Sequence, residues 1–167
     1  MLFPSLFAAF GPAAQVVRLE QINARRRQHS APLGMQVQQA QLLLASGNAA
    51  VANAEGWHVA VLGTPRMTGA WQAQARRDGV AAALLSACRA EGARAFSHVA
   101  GAFALIAIDS VRGECYLAVD RVGQQRLVWW RQGGTIWIAS EQSLLNAVPH
   151  SQLRLSPQAL FDYLYFH

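Results

Sequence analysis

The sequence has 167 residues, of which 53% are hydrophobic and 14% charged, a composition that excludes a disordered chain and favours one domain with a buried core. The formal net charge is +5, and all fourteen basic residues are arginine. Because there is no lysine, a Schiff-base lysine, a Ser-Lys dyad and a lysine-dependent phosphate loop are excluded. A surface with so few charges is expected to be covered in part by a partner or a further domain.

The cysteines, histidines and arginines further limit the kinds of functional site that the sequence can form. Cys88 and Cys115 form no redox or metal-binding spacing, and we interpret them as reduced, buried and inert, as in a cytoplasmic protein. The five histidines are widely separated, so no metal site is predicted. The arginines are scattered apart from one run at residues 25–27. A scattered excess is typical of a solvated surface, so a nucleic-acid or peptide binder that uses this run is kept as an alternative.

The first third of the chain predicts strands around one helix. Residues 2–10 are apolar but lack the basic start of a signal peptide, and we interpret them as a buried strand. Apolar spacing indicates a helix within residues 15–30, and residues 35–44 indicate a strand. The stretch 57–62 predicts another strand, which we expect Gly63-Thr64-Pro65 to end. No segment approaches the roughly 20 apolar residues of a membrane span.

A helix is predicted after residue 78. Asp78 is a candidate N-cap, because its carboxylate can accept the free N–H groups of a first helical turn. Gly92 is expected to end the helix. Four small or apolar residues share one face of it: Ala81, Leu84, Leu85 and Cys88.

The second half predicts strands joined by short turns. These strands cover residues 102–108, 114–119, 126–131 and 135–139. A helical turn over residues 140–147 and a helix that begins at Ser156-Pro157 follow them. Turns this short require antiparallel pairing. Residues 102–108 (AFALIAI) do not alternate, so both faces of that strand are expected to be buried. The pattern predicts one α+β domain over residues 1–167, with two antiparallel sheets between helices in an αββα sandwich.

Three motifs carry a resemblance to a known family. They are Gly101-x-Phe103-Ala104 with Asp109, then Asp120-Arg121-x-Gly123 with Leu127, and then Ala139-Ser140-Glu141. Their order, spacing and strand pattern over residues 78–166 resemble the glutaminase domain of asparagine synthetases. Arg126 is a departure, since the family usually has proline there.

The second and third motifs are interpreted as structural. Gly123 permits the positive φ of a turn, and Asp120 can accept the free N–H groups of that turn. Arg121 can offer a bidentate fork to a nearby carboxylate. Ser140 and Glu141 are assigned with them to the framework.

The resemblance implies the N-terminal-nucleophile hydrolase fold, which agrees with the strand pattern. In active members, a cysteine follows the initiator methionine, its own α-amine acts as base, and its thiolate attacks the side-chain amide of glutamine. An asparagine amide and a glycine N–H hold the oxyanion. An aspartate is expected to bind the amino group of the substrate.

This chain departs from the active pattern at the reacting positions. Leu2 occupies the nucleophile position and Leu62 the oxyanion asparagine position. Gly63 keeps the glycine and Asp78 falls at the aspartate, so both are candidates for a remnant glutamine site. No glutamine-binding arginine segment is found between residues 35 and 55. The sequence therefore predicts no catalytic residue.

The resemblance favours a catalytically inactive glutaminase-like domain with a structural or interaction role. The chain ends about where the family enters its ATP-using synthetase domain, so it is expected to be the N-terminal part of a longer amide-bond-forming enzyme. Lasso-peptide macrolactam cyclases and β-lactam synthetases lack the N-terminal cysteine because they use an internal amine, and the cyclase is the preferred subfamily. The main alternative is a glutamine-hydrolysing domain that supplies ammonia for asparagine biosynthesis.

Cofactors and partners are implied in the same way. No cofactor is expected in this segment, which lacks the family's Ser-Gly-Gly ATP motif. ATP and Mg²⁺ are expected in a synthetase domain or a separate ligase subunit. For a lasso-peptide cyclase, a precursor peptide and its leader-processing proteins are expected as further partners.

Overall fold

The computed structural model describes residues 2–39, 41–148 and 156–166. The described strands are β1 Ser5–Phe10, β2 Gly34–Gln39, β3 Leu42–Gly47, β4 Ala50–Ala54, β5 Trp57–Met67, β6 Val99–Asp109, β7 Glu114–Val119, β8 Val128–Gln132 and β9 Thr135–Ala139. The α-helices are α1 Leu19–Arg25, α2 Gln72–Asp78, α3 Val80–Glu91, α4 Gln142–Leu145 and α5 Pro157–Phe166. Short 3₁₀ helices cover Pro12–Val16, Gly69–Trp71 and Gly92–His98.

The strands form two antiparallel sheets. One has five strands in the order β2-β3-β1-β9-β8, and the other has four strands in the order β4-β5-β6-β7. β1 is central in the first sheet, where it pairs with β3 on one side and β9 on the other. The longest pairing joins β5 and β6, whose residues 57–67 run against residues 99–109. The expected antiparallel sheets are therefore confirmed.

Three buried clusters show how the layers stack. One lies between the outer face of the five-stranded sheet and α1 and α4, and it includes Phe7, Ile22 and Leu144. A second lies between the two sheets. The third lies between the four-stranded sheet and α3, and it includes Leu84 and Leu105. The layers are helix, sheet, sheet, helix, which confirms the predicted αββα sandwich.

β6 explains why its sequence does not alternate. Phe103, Leu105 and Ala107 face the cluster beneath α3. Ala104, Ile106 and Ile108 face the cluster between the sheets. Because both faces of the strand are covered, nearly every position must be apolar.

The first half differs from its prediction in several bounds. β1 begins at Ser5 rather than at residue 2. The region 35–44 contains a hairpin of β2 and β3 instead of one strand. The helix expected within residues 15–30 is only the seven-residue α1, preceded by a 3₁₀ turn. Later, β8 begins at Val128 and α4 is a single turn, Gln142–Leu145.

The segment Gly63-Thr64-Pro65 does not end its strand, contrary to prediction. β5 continues to Met67, and Pro65 pairs with Gly101 of β6. β4 pairs only with residues 57–61, so the later part of β5 has no described strand on its other side. Proline is tolerated there because its missing N–H leaves no ladder bond unmade at a free edge.

Asp78 does not cap α3, so that prediction is wrong. Asp78 is the last residue of α2, and Gly79, with φ 90°, separates the two helices. The start of α3 has no side-chain cap. An Asp-Gly pair can lie at the junction of two helices or at the N-terminus of a single helix. The sequence alone does not distinguish these two positions.

The last described helix has the expected start. The Ser156 hydroxyl accepts the backbone N–H of Ala159 at 3.3 Å, as an N-cap does. Five large side chains of α5 are exposed, namely Leu160, Phe161, Tyr163, Leu164 and Tyr165, and Phe161 stacks on Tyr165 with ring centroids 4.3 Å apart. Among the described helices, none has both the length and the apolar character to cross a membrane.

Candidate functional site

A cavity of about 280 Å³ opens beside the start of β1 and the end of β9. Five segments that are distant in sequence contribute its walls. They supply Phe3 and Pro4, then Arg27, His29 and Ser30, then Leu62, then Gln125 and Arg126, and finally Ser140 and Glu141. The fold thus brings the predicted positions Leu62, Ser140 and Glu141 together around one space.

Backbone bonds hold the N-terminal segment at this cavity. The Phe3 N–H donates to the carbonyl of His29 at 2.7 Å, and the Ala31 N–H donates to the carbonyl of Phe3 at 2.7 Å. Leu2 directly precedes Phe3, lies outside β1 and is 43% exposed. The nucleophile position predicted from the sequence is therefore adjacent to the cavity wall.

Leu62 and Gly63 form part of β5 next to the cavity. Leu62 is buried, with 2% of its surface exposed, and belongs to the cluster between the sheets. Gly63 has φ +89°, and a Cβ placed there would lie 2.3 Å from the Ala102 carbonyl oxygen and 2.8 Å from Gln125 Cγ. Close packing therefore requires glycine at residue 63, independently of the oxyanion role that this glycine has in the family.

Asp120 organises the loop after β7 with four backbone hydrogen bonds. Its Oδ1 accepts the N–H groups of Val122 and Gln124, each at 3.1 Å. Its Oδ2 accepts those of Gln125 at 3.1 Å and Phe103 at 3.2 Å. Burial raises the pKa of the Asp120 carboxyl, but the four donors favour its charged form and the pKa is held below its usual value.

The consequence is that Asp120 positions a cavity wall. The bond to Phe103 ties the loop to β6, and the bond to Gln125 fixes the first of the two loop residues that line the cavity. Gly123 has φ +65°, as predicted for the turn. Arg121 is exposed and has no carboxylate within ion-pair distance among the described residues, so the expected bidentate contact is not formed.

Ser140 and Glu141 follow β9 and differ in their surroundings. Ser140 extends the pairing with β1, since its N–H donates to the Leu6 carbonyl at 2.9 Å and its Oγ accepts the Leu6 N–H at 3.0 Å. The Glu141 side chain is only 10% exposed, and its Oε2 lies 3.4 Å from Nε of Arg27. Neither carboxylate oxygen of Glu141 accepts a hydrogen bond from any residue that the structure describes.

Asp78 lies away from the cavity lining. It is exposed at the end of α2, and both of its carboxylate oxygens accept hydrogen bonds from Arg77 at 2.9 Å. This contact lowers the pKa of Asp78 against the opposing effect of burial. Gly63 and Asp78, the two candidates for a remnant glutamine site, therefore do not line a common cavity in the structure.

The two thiols also lie outside the lining of the smaller cavity, although Cys88 is among the residues that line a separate cleft at the end of α3. Cys88 is buried on α3 in the cluster beneath that helix, and Cys115 lies in β7 against the cluster between the sheets. Burial raises the pKa of each thiol to about 12. Each thiol therefore remains protonated near neutral pH, and the thiolate needed for nucleophilic attack is absent.

A larger cleft of about 710 Å³ lies where the β4–β5 and β6–β7 turns meet the end of α3. Its charges are mostly neutralised by internal pairs. Arg89 bonds Glu55, and Nε of Arg112 lies 3.7 Å from Oδ2 of Asp109. In the described part of the chain, no group of three or more His, Cys, Asp or Glu residues could hold a metal ion.

The sequence did not predict the cationic residues of the smaller cavity. Arg27, His29 and Arg126 line it, and Arg126 had been noted only as a departure from the family pattern. Within the run at residues 25–27, Arg26 donates to the Ser30 carbonyl at 2.7 Å and Arg27 pairs with Glu141. Two of these three arginines are thus engaged within the molecule.

Comparisons with known proteins agree with this architecture. A family model described as a glutamine amidotransferase domain matches residues 68–167. The matched range begins after both Leu2 and Leu62. No curated protein matches the sequence.

One similar solved structure is the glutamine phosphoribosylpyrophosphate (PRPP) amidotransferase from B. subtilis, complexed with ADP and GMP. The two chains are 12% identical and superpose with a TM-score of 0.52. The match covers 86% of this chain and 43% of the other, so the present sequence corresponds to less than half of that protein. At this identity the likeness concerns the fold.

Proposed function

This chain belongs to the family of glutamine amidotransferase domains, and we propose that it is a member that has lost the hydrolysis of glutamine. Its role is structural or interactive, within an ATP-dependent enzyme that forms amide bonds and resembles asparagine synthetase. A lasso-peptide macrolactam cyclase is the preferred type.

One observation carries the proposal: the nucleophile position holds Leu2 beside a cavity with no thiol among its described lining residues. Hydrolysis of an amide through a covalent intermediate needs a nucleophilic atom, a base and oxyanion donors. A leucine side chain has no lone pair to attack with. The Leu62 side chain likewise has no N–H donor where the family has an asparagine amide.

The cavity offers no substitute set of groups for this reaction. Ser30 and Ser140 are the hydroxyl-bearing residues in its lining. The Ser140 hydroxyl already accepts the N–H of Leu6, in a bond that continues the pairing of β9 with β1. A serine nucleophile also requires an adjacent base, and no described histidine contact to either hydroxyl supports one.

ATP and Mg²⁺ fit poorly with this segment, and we assign them to a synthetase domain or a separate ligase subunit. The lining of the smaller cavity has one carboxylate and two arginines, whereas Mg²⁺ prefers several oxygen ligands. ATP-dependent activation of a carboxylate, followed by attack of an internal amine, needs no ammonia. A domain attached to such an enzyme can lose its glutaminase residues while it keeps its fold.

The direct test is ammonia release from L-glutamine by the purified chain. We expect no release above the buffer rate. The variants Leu2→Cys and Leu2→Cys/Leu62→Asn are the informative companions, because they return a thiol alone or a thiol with an oxyanion amide. We expect the double variant to release more ammonia than the single one.

The alternative, a glutamine-hydrolysing domain that supplies ammonia for asparagine biosynthesis, predicts turnover by the unmodified chain. Glutamate and ammonia formed in equal amounts, and in proportion to protein concentration, would establish it and remove the proposal. The enzyme context has its own test in the genomic neighbourhood. An adjacent ATP-using synthetase segment and a short precursor-peptide gene support the cyclase, whereas neighbouring genes of neither kind count against it.

A further inference from the structure

The departures from the family pattern meet in one cavity. Leu62 replaces an asparagine and Arg126 replaces a proline, and both residues line the same space although 64 positions separate them in the sequence. With Phe3 and Pro4, Leu62 makes part of the wall apolar. Arg126 adds a cation to the part of the wall formed by the loop after β7. The site has therefore changed its chemical character as well as lost its catalytic groups.

Glu141 is a cavity residue whose carboxylate is buried without a hydrogen-bond donor among the described residues. Its side chain is 10% exposed, and neither oxygen receives a hydrogen bond within the described structure. A buried carboxylate is costly unless a donor satisfies it. Among the described residues, its ion-pair partner is Arg27, at 3.4 Å, whose own side chain is 76% exposed. An exposed arginine can turn away at little cost and give its place to another cation.

We propose that this cavity binds a free α-amino acid with an apolar side chain and does not convert it. The inference rests on the proposed loss of glutamine hydrolysis. The ammonium group of the ligand donates to Glu141 and displaces Arg27 from it. The carboxylate of the ligand pairs with Arg126 and with the released Arg27, because guanidinium groups bind carboxylates in a bidentate manner. The side chain lies against Leu62 and Phe3.

The size of the cavity fits this ligand class. Pockets for drug-sized molecules have volumes of about 300–1,000 Å³. At about 280 Å³, this one lies just below that range and suits a single amino acid better than a peptide. An apolar side chain is favoured over that of glutamine because Leu62 would leave a buried amide without a partner.

The test is calorimetric titration of the whole chain with L-leucine, with three related ligands for comparison. L-Leucinamide lacks the carboxylate, 4-methylpentanoate lacks the ammonium group, and L-glutamine has a polar side chain. We expect L-leucine to bind, and L-leucinamide and 4-methylpentanoate to bind about tenfold more weakly, since a hydrogen bond to a charged group contributes roughly 1.5–3 kcal/mol. L-Glutamine is also expected to bind about tenfold more weakly, because its side-chain amide would be buried against Leu62 without a partner.

Variants of the cavity residues test which side chains contact the ligand. Glu141→Gln and Arg126→Ala are each expected to weaken L-leucine binding by about tenfold or more. Arg66→Ala removes an exposed arginine of β5 outside the cavity and is expected to bind as the parent chain does. Leu62→Trp fills the space and is expected to abolish binding. The melting temperature of each variant is measured to show that it is folded.

The outcomes separate this inference from the proposed function. Absence of L-leucine binding at about ten millimolar, binding of the three related ligands as tight as that of L-leucine, or unchanged L-leucine binding by folded Glu141→Gln would overturn the inference. Glutamine bound more tightly than leucine, without ammonia release, would overturn the inference and leave the proposed function intact. Ammonia release from glutamine would instead overturn the proposed function on which the inference rests.

Discussion

Asp120 and Glu141 both carry largely buried carboxylates, but they differ in hydrogen bonding, and this difference indicates different roles. Asp120 accepts four backbone N–H groups, so its charge is fully used by the fold. Glu141 accepts none from the described residues and faces a cavity. A saturated buried carboxylate indicates a structural role, whereas an unsatisfied one beside open space indicates a binding role.

Asp120→Ala is expected to lower the melting temperature by several degrees, because four backbone donors lose their common acceptor. The loop after β7 should also open locally, so trypsin is expected to cleave faster after Arg121 and Arg126. Thermal unfolding and limited proteolysis measure these effects. Asp162→Ala on exposed α5 is the control. Equal melting temperatures and cleavage rates for both variants would contradict the positioning role of Asp120.

His58 predicts a pH dependence of stability. It is buried in β5, its Nδ1 lies 3.1 Å from Asn53 Oδ1, and its Nε2 has no hydrogen-bond partner among the described residues. Burial lowers the pKa of His58 below its usual value of about 6.5. The unfolded chain therefore binds a proton more tightly than the folded one, and the free energy of unfolding falls as the pH drops through 6.5 toward the folded pKa.

We therefore expect the melting temperature to fall less between about pH 7.5 and about pH 5 in His58→Gln than in the parent chain. Thermal unfolding at a series of pH values measures the difference. His29→Gln, at an exposed histidine, is the matched control and should keep the slope of the parent chain. A parental slope in His58→Gln would show that the pH dependence arises elsewhere.

At the scale of elements, the pairing of β5 with β6 depends on Gly63. An added Cβ would approach the Ala102 carbonyl to 2.3 Å at a positive φ, so Gly63→Ala is expected to cost about 1–3 kcal/mol of unfolding free energy. Gly34→Ala in β2 is the control, because its nearest atom would lie 3.8 Å away. That change should stay within about 0.5 kcal/mol. Chemical denaturation measures both, and equal values would contradict the close packing.

Some helices and strands were predictable from the sequence, and others were not. β6 and β9 were predicted well because they are apolar at nearly every position, and α3 because its buried residues recur at helical spacing and Gly92 ends it. Asp78 was assigned wrongly because an Asp-Gly pair reads alike at the end of one helix and before the next. The continuation of β5 through Pro65 depended on a free edge, which only the assembled sheet reveals.

The candidate site was predictable only in part. The resemblance to the family predicts Leu2 at the nucleophile position and Leu62 at the oxyanion asparagine position, because each of those positions has a defined chemical requirement. The meeting of Arg27, Arg126 and Glu141 could not be predicted, because these residues are far apart in the sequence and come together only in the folded chain. Long-range contacts of this kind leave no periodic signal in the sequence.

At the scale of the whole molecule, the residues that hold the layers together are largely distinct from those that line the smaller cavity. The three buried clusters that join the layers contain neither Leu2, Arg27 nor Glu141, although Leu62 belongs to the cluster between the sheets. Leu2 lies outside β1 and is partly exposed, so the core places little demand on its identity. The sandwich therefore does not depend on the identity of residue 2.

A domain without a nucleophile for a glutamine-like substrate does not react with a glutamine-mimicking electrophile, and intact-mass analysis after incubation with that reagent measures the reaction. Leu2→Cys is the positive control. We expect the parent chain to keep its mass, because both cysteines are protonated thiols with pKa values of about 12 and neither lines the smaller cavity. Stoichiometric addition of one electrophile to the folded parent chain, prevented by excess glutamine, would contradict the account.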